Sequence, residues 1–186
     1  MNSKYERLPN QVREKINQLE KENDMKLSTL QKILVSIEGP VVTTLDILYG
    51  DLNVFILDQH MEKADKSVAE KLDINEGDEI DLREVILHKH GRPLVYGFSY
   101  IPKDRCSNTV IEKLLSEDHT TGRILLEHEI ETITKIEKIY LEEPDEKLQN
   151  LFHTPGKMLA RDYIVIHKKN IVLWSKEACP LSYYNE

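Results

Sequence analysis

The stretch DLREVILHKHGRPLVYGFSYIP, residues 81–102, admits few structures. Two runs rich in apolar, β-branched and aromatic residues flank HGRP, which reads as the tip of a β-hairpin. Side chains alternate across a strand, so Arg83 shares a face with Val85 and Leu87, while Ile80, Leu82 and Ile86 share the other. Apolar residues on both faces place this hairpin under cover on both sides. Arg83 then stands on an apolar face. A buried guanidinium without a counter-charge costs about several kcal/mol, so an anion should meet it, either a protein carboxylate or a ligand.

The last strand offers a second misplaced charge. In IVLWSKE, Ile171, Leu173, Ser175 and Glu177 share one face, and Val172, Trp174 and Lys176 the other. Glu177 ends an apolar stripe just before Ala-Cys-Pro. Two readings follow: an inter-strand salt bridge between Arg83 and Glu177, or a pocket with a cation at one end and a carboxylate at the other. Gly97 and Ser99 lie on one face of the strand after HGRP. Their small side chains leave room for a ligand, although glycine also marks bulges.

Around these strands the pattern is mixed. Val12, Ile16 and Leu19 give a narrow helical stripe over residues 9–24, and LSTLQKILVS (27–36) reads as a second helix. Gly39 and Pro40 break the chain, and VVTTLDILYG follows as a helix or an extended run. Residues 52–61 read as a strand and 66–72 as a short helix. Ser107 suits the cap of a helix through Leu115, and TTGRILLEH reads as another. Residues 131–142 form a strand with a break near Lys135, Pro144 starts a helix over PDEKLQNLF, and two closing strands flank a KKN turn. No repeat, low-complexity tract or long linker is evident. The sum is an α+β chain: a single domain with an antiparallel sheet of about six strands and helices over its face and ends.

Composition removes several function classes. With 186 residues, 40% of them hydrophobic, the chain can bury a real core. A net charge of −8 and the lack of a basic stripe argue against nucleic acid, including a helix-turn-helix reading of the N-terminal helices. No apolar run approaches the roughly 18 residues of a membrane span, and MNSKYERLPNQVREK lacks the apolar core of a signal peptide. The expectation is a soluble, cytoplasmic protein with Cys106 and Cys179 as free thiols. His88 and His90 would share a strand face, and so would Glu127, Glu129 and Glu131. Exposed tip residues and a solvated acidic face explain them better than a metal site. There is no GxSxG, P-loop or GxGxxG.

LREVILHKHGRPLVYGFSYIP resembles the central hairpin of the chorismate lyase family, with its LRE step, Gly-x-Pro turn and strand ending in Ile-Pro. HTTGRILLE is similar to the family's later Leu-Gly-Arg helix start, RDYIVIHKKNIVLWSKEACPLSYY to its closing hairpin and tail, and EGPVVTTL to its Glu-Asp-Ser-Met-Thr segment. The resemblance runs over residues 27–184 in order. It divides the chain into an N-terminal helical extension, 1–26, and a chorismate lyase-like domain, 27–186. It implies conversion of chorismate to 4-hydroxybenzoate and pyruvate, with no metal or organic cofactor, in a site enclosed under helical flaps. By the same resemblance Arg83 binds the ring carboxylate, Glu177 the ring hydroxyl, and backbone groups at Val41 and at Thr121, next to Gly122, help hold the carboxylate. Counted without a gap the family glutamate falls on Ser175; a turn longer by two residues moves it to Glu177 and keeps its face. A second family arginine is Phe98 here. The same fold also serves as the effector domain of winged-helix regulators, which would bind a small carboxylate and catalyse nothing; the segment before residue 27 is too short for such a DNA-binding domain.

Overall fold

The structure is a computed structural model that describes residues 8–107, 112–113, 120–127 and 129–185. Its frame is a six-stranded antiparallel sheet in the order β1-β2-β3-β6-β5-β4. The strands are β1 (Asn53–Lys63), β2 (Glu79–Lys89), β3 (Arg92–Pro102), β4 (Ile133–Glu142), β5 (Met158–His167) and β6 (Asn170–Pro180). The helices are α1 (Leu8–Glu22), α2 (Thr29–Ser36), α3 (Val41–Tyr49), α4 (Lys66–Leu72), α5 (Thr121–Glu127) and α6 (Glu146–Phe152). The ambiguous VVTTLDILY is thus helical, because Val41, Val42 and Leu45 bury one face of it at helical spacing. The helix expected from Ser107 to Leu115 lies largely outside the described residues.

Each element carries a local cause. Ser28 and Gln31 form a capping box at α2. Asp65 and Asp145 cap α4 and α6 through the N–H groups of Val68 and Leu148. Asp145 is therefore the cap, and Pro144 precedes the helix rather than starting it. His90 and Gly91 both have positive φ, as a two-residue type I′ hairpin demands, and Lys168 and Lys169 repeat this geometry between β5 and β6. The irregularity expected near Lys135 falls between Ile136 and Lys138. Glu20 clips α1 to α2 by accepting from Lys26, Lys32 and the Leu27 N–H. The two lysines hold its carboxyl down at about 2.

Although no repeat is visible by eye in the sequence, the fold contains one. The order α3-β1-α4-β2-β3 recurs as α5-β4-α6-β5-β6. The hairpins superpose in register at an offset of 78 residues, which equates Arg83 with Arg161, Ile86 with Ile164 and Pro102 with Pro180. β3 pairs with β6 antiparallel, and Phe98 stands opposite its own counterpart Lys176, so an approximate two-fold axis passes between them. On one face α4 packs on Ile80, Ile164, Trp174 and Tyr100; α6 packs on the equivalent Met158, Ile86, Tyr96 and Ala178. The larger core lies on the opposite face, under α1, α2, α3 and α5, and includes Ile16, Leu19, Leu34, Leu45, Ile124, Leu87 and Val165. Among the described residues no helix is long and apolar enough to cross a membrane.

Candidate functional site

Two rows of side chains cross the middle of the sheet beneath α3 and α5. Register pairs Arg83 with Ser99, Ser99 with Ser175 and Ser175 with Tyr163. The neighbouring row runs Val85, Gly97, Glu177, Arg161. A Cβ on Gly97 would sit 3.1 Å from Val85 Cγ2, so glycine keeps this part of the floor low. Pro40, Val41 and Val42 roof the rows from one side and Thr120 and Thr121 from the other, enclosing a cleft that Arg83, Gly97, Ser99, Tyr163, Ser175 and Glu177 also line. Its cavity is about 50 Å³, against ~150 Å³ for a protein cavity that admits benzene. A ring-sized guest needs more room than this cavity offers.

Arg83 is 1% exposed. It feels the carboxylate of Asp81 two residues away on its own strand face. Burial pushes Asp81 up to about 6, against the opposing pull of Gln59, Arg83 and His60. The Gln59 side-chain amide donates to both Asp81 oxygens, at 3.0 and 3.3 Å.

Glu177 is held from two sides. Arg161, 2% exposed, donates from Nε at 2.8 Å and approaches from Nη2 at 2.7 Å, both on Oε2. The Tyr163 hydroxyl donates to Oε1 at 3.0 Å. Burial, then the Glu177 charge, push the Tyr163 phenol above its usual range. The carboxylate keeps lone-pair capacity on Oε1 for one more donor. Arg161 also donates to the Ile37 and Gly39 carbonyls at 2.7 and 3.4 Å, so one guanidinium ties Glu177 to the segment that leads into the roof. The roof elements hold each other through the ion pair of Arg123 on α5 with Asp46 on α3.

Sequence reasoning placed Arg83, Glu177, Val41 and Thr121, and the fold brings all four to one cleft. Gly122 follows Thr121 in the first turn of α5. Val41 and Thr121 are the first residues of their helices, where backbone N–H groups have no intrahelical acceptor. Ser175 and Glu177 face the same cleft, and Ser175 donates its hydroxyl to the Phe98 carbonyl. The inter-strand pairing of Glu177 with Arg83 is corrected: its ion pair is with Arg161. Phe98 projects its ring to the far face, in edge contact with Tyr100 and Trp174, and the second cation of the site is Arg161. Sequence reasoning missed Arg161 and Tyr163. The 78-residue offset was the signal that could have found Arg161, since it lies where Arg83 maps in the second hairpin.

Other candidates separate. His88 is in β2 but His90 is in the turn with φ 49°, so they do not share a strand face. Glu127 ends α5, and Glu129 and Glu131 lie in the loop before β4, so no strand aligns them. No cluster of three or more metal-ligating side chains occurs among the described residues. Burial pushes the Cys106 and Cys179 thiols up to about 11 and about 12, which leaves both without thiolate character near neutral pH.

The six-stranded antiparallel sheet with its helices is a fold that solved regulator domains share. Chains similar in structure include a GntR-family transcriptional regulator from Bacillus cereus (16% identity, 73% of this chain and 94% of that one, TM-score 0.57) and the effector domain of PhnF from Mycobacterium smegmatis (13% identity, 76% and 88%, TM-score 0.62). Sequence narrows this further. The family model described as "Chorismate pyruvate-lyase Rv2949c-like" matches residues 35–183, and the chain belongs to that family. A protein of Methanocaldococcus jannaschii named "Putative lyase MJ0807" is 30% identical over 150 residues, 77% of this chain and 73% of the relative.

Proposed function

We propose that the protein is a chorismate lyase, converting chorismate to 4-hydroxybenzoate and pyruvate by cofactor-independent elimination. The observation that carries the reading is the buried Arg83 on the wall of a closed, mostly apolar cleft, in a chain of this family. A planar guanidinium fork suits a ring carboxylate, and the first-turn N–H groups of Val41 and Thr121 add donors from the roof. Glu177, fixed by Arg161 and Tyr163, accepts from the ring hydroxyl at the other end. Chorismate loses the enolpyruvyl group from C3 and the proton from C4, and aromatisation of the ring drives the step. The protein's part is to orient the ring, exclude water and stabilise developing charge. A cavity this small in the closed state makes roof opening, and with it product release, the slow stage of turnover.

Purified protein incubated with chorismate, without added metal or cofactor, tests this. Equal amounts of 4-hydroxybenzoate and pyruvate should form above the spontaneous rate, and Arg83→Ala should form neither. The second reading is a non-catalytic domain that binds a small carboxylate, favoured by the effector-domain structures. Thermal stabilisation by 4-hydroxybenzoate with no turnover would establish it instead.

A further inference from the structure

A cavity of about 50 Å³ admits a ring only if part of its wall moves, and the chain places a joint beside it. α2 is strapped to the end of the chain. Gln31, 2% exposed, donates to the Leu181 and Tyr183 carbonyls at 2.8 and 2.9 Å, and the Ser28 hydroxyl donates to the Tyr184 carbonyl. α3 starts at Val41, in the roof of the cleft. Residues 37–40 between these helices carry no regular structure. Arg161 holds this joint from below, donating from Nη1 to the Ile37 carbonyl at 2.7 Å and from Nη2 to the Gly39 carbonyl at 3.4 Å. The other edge of the same guanidinium is clamped: Nε and Nη2 lie 2.8 and 2.7 Å from Glu177 Oε2. Its central carbon lies 4.9 Å from the Tyr163 ring centroid.

Arg161 and Glu177 stand opposite each other on neighbouring strands inside the sheet, so they belong to the floor rather than to the roof. A planar fork bonded along one edge presents its remaining donors in a fixed direction. Without the charge on Glu177, the buried guanidinium loses the anchor that aims Nη1 at Ile37. We propose that Arg161 is a positioning residue that couples Glu177 to the joint at 37–40, so that a carboxylate on the floor of the cleft holds its roof shut. Among the described residues the hydrogen bonds of Glu177 itself run to Arg161 and Tyr163, not to the roof. The coupling is reciprocal: lifting the joint takes both carbonyls from Arg161 and leaves the guanidinium to Glu177. It is a property of the ligand-free protein and does not require turnover; its consequence for ligand entry and release rests on the reading of the cleft as the ligand site.

Hydrogen exchange of the ligand-free full chain tests this, read in peptides spanning 37–45 and, for reference, in β2. Glu177→Gln, equal in size but uncharged, should speed exchange at 37–45 by about fivefold or more, while β2 keeps its rate. Tyr163→Phe removes the partner of Oε1 and leaves both Arg161 contacts, so the joint should exchange as in wild type. An unchanged or slower joint in Glu177→Gln would overturn the proposal, as would equal acceleration in β2 or in Tyr163→Phe. Arg161→Lys covers a misfolded Glu177→Gln. A single ammonium cannot span Oε2 and both carbonyls, so the joint should loosen, and 4-hydroxybenzoate should both associate and dissociate faster than in wild type. A wild-type joint rate or slower association in that variant would contradict the coupling. A wild type that binds no 4-hydroxybenzoate would remove the lyase reading, and a loosened joint in Glu177→Gln would still establish the coupling.

Discussion

Arg83 and Arg161 occupy equivalent places in two halves of one sheet, and they differ in what they meet. Arg161 has its anion built in, and spends its remaining donors on the Ile37 and Gly39 carbonyls. Arg83 faces a serine, with a buried acid, Asp81, beside it in place of the apolar Leu159 of the second half. The second half thus pairs its arginine with a cross-strand carboxylate, and the first half sets the equivalent arginine opposite a serine on the wall of the cleft.

The largest effect that would sharpen this contrast is on stability. Arg161→Ala leaves Glu177 with half its partners and frees the roof, and should cost about 3–5 kcal/mol of unfolding free energy, read by urea titration. A loss below ~1 kcal/mol would mean that the second half is not the structural one. Next comes binding. Arg83→Ala should weaken 4-hydroxybenzoate by about 2–5 kcal/mol, measured by calorimetry. Its cost in stability should be smaller than that of Arg161→Ala, because Arg161 also ties Glu177 to the Ile37 and Gly39 carbonyls.

The third effect is a pH dependence that only the first half should show. Asp81 has a folded pKa of about 6, raised by burial above its ordinary 3.8. The folded state therefore binds more protons than the unfolded chain between these values, and stability falls as pH rises through about 4 to 6. The loss has an upper limit of roughly 3 kcal/mol, from about 1.4 kcal/mol per pH unit. Asp81→Asn should flatten that window. The Glu20 carboxyl, held down at about 2, acts with the opposite sign in a lower window. Its contribution is complete above about 4.5 and is lost as pH falls towards 2. The smallest effect is on the far face. Lys71 Nζ lies 4.4 Å from the Trp174 ring centroid, and the equivalent residue on α6 is Leu151. Lys71→Ala should cost only about 0.5–1 kcal/mol, and binding should not change.

Alternation alone was enough to read the hairpins, because each strand carries long runs whose two faces are separable by parity. It also marked Arg83 and Glu177, as charges on otherwise apolar faces. The same logic failed for Arg161. There Arg161 and Asp162 are adjacent, and on opposite faces of one strand they read as ordinary polar residues flanking an apolar run. In fact Arg161 turns to Glu177, while Asp162 accepts from the Tyr140 hydroxyl at 2.8 Å on the far face. Glu84, the counterpart of Asp162, accepts from Tyr96 at 2.7 Å in the same way. The repeat that would have exposed this is identical at only three of the compared hairpin positions, Arg83/Arg161, Ile86/Ile164 and Pro102/Pro180. Burial constrains size and polarity rather than identity, so such a repeat fades in sequence while register preserves it. The α3 segment stayed ambiguous for a related reason. VVTTLDILY is rich in β-branched residues, and tertiary packing of Val41, Val42 and Leu45 decides it.

The most direct test of the central claim is a crystal structure with 4-hydroxybenzoate bound. The carboxylate should lie within hydrogen-bonding distance of the Arg83 guanidinium above Ser99, with the hydroxyl directed at Glu177 and the roof at Val41 and Thr121 closed over the ring. A ligand seated outside the cleft, or inside it with its carboxylate away from Arg83, would contradict the assignment.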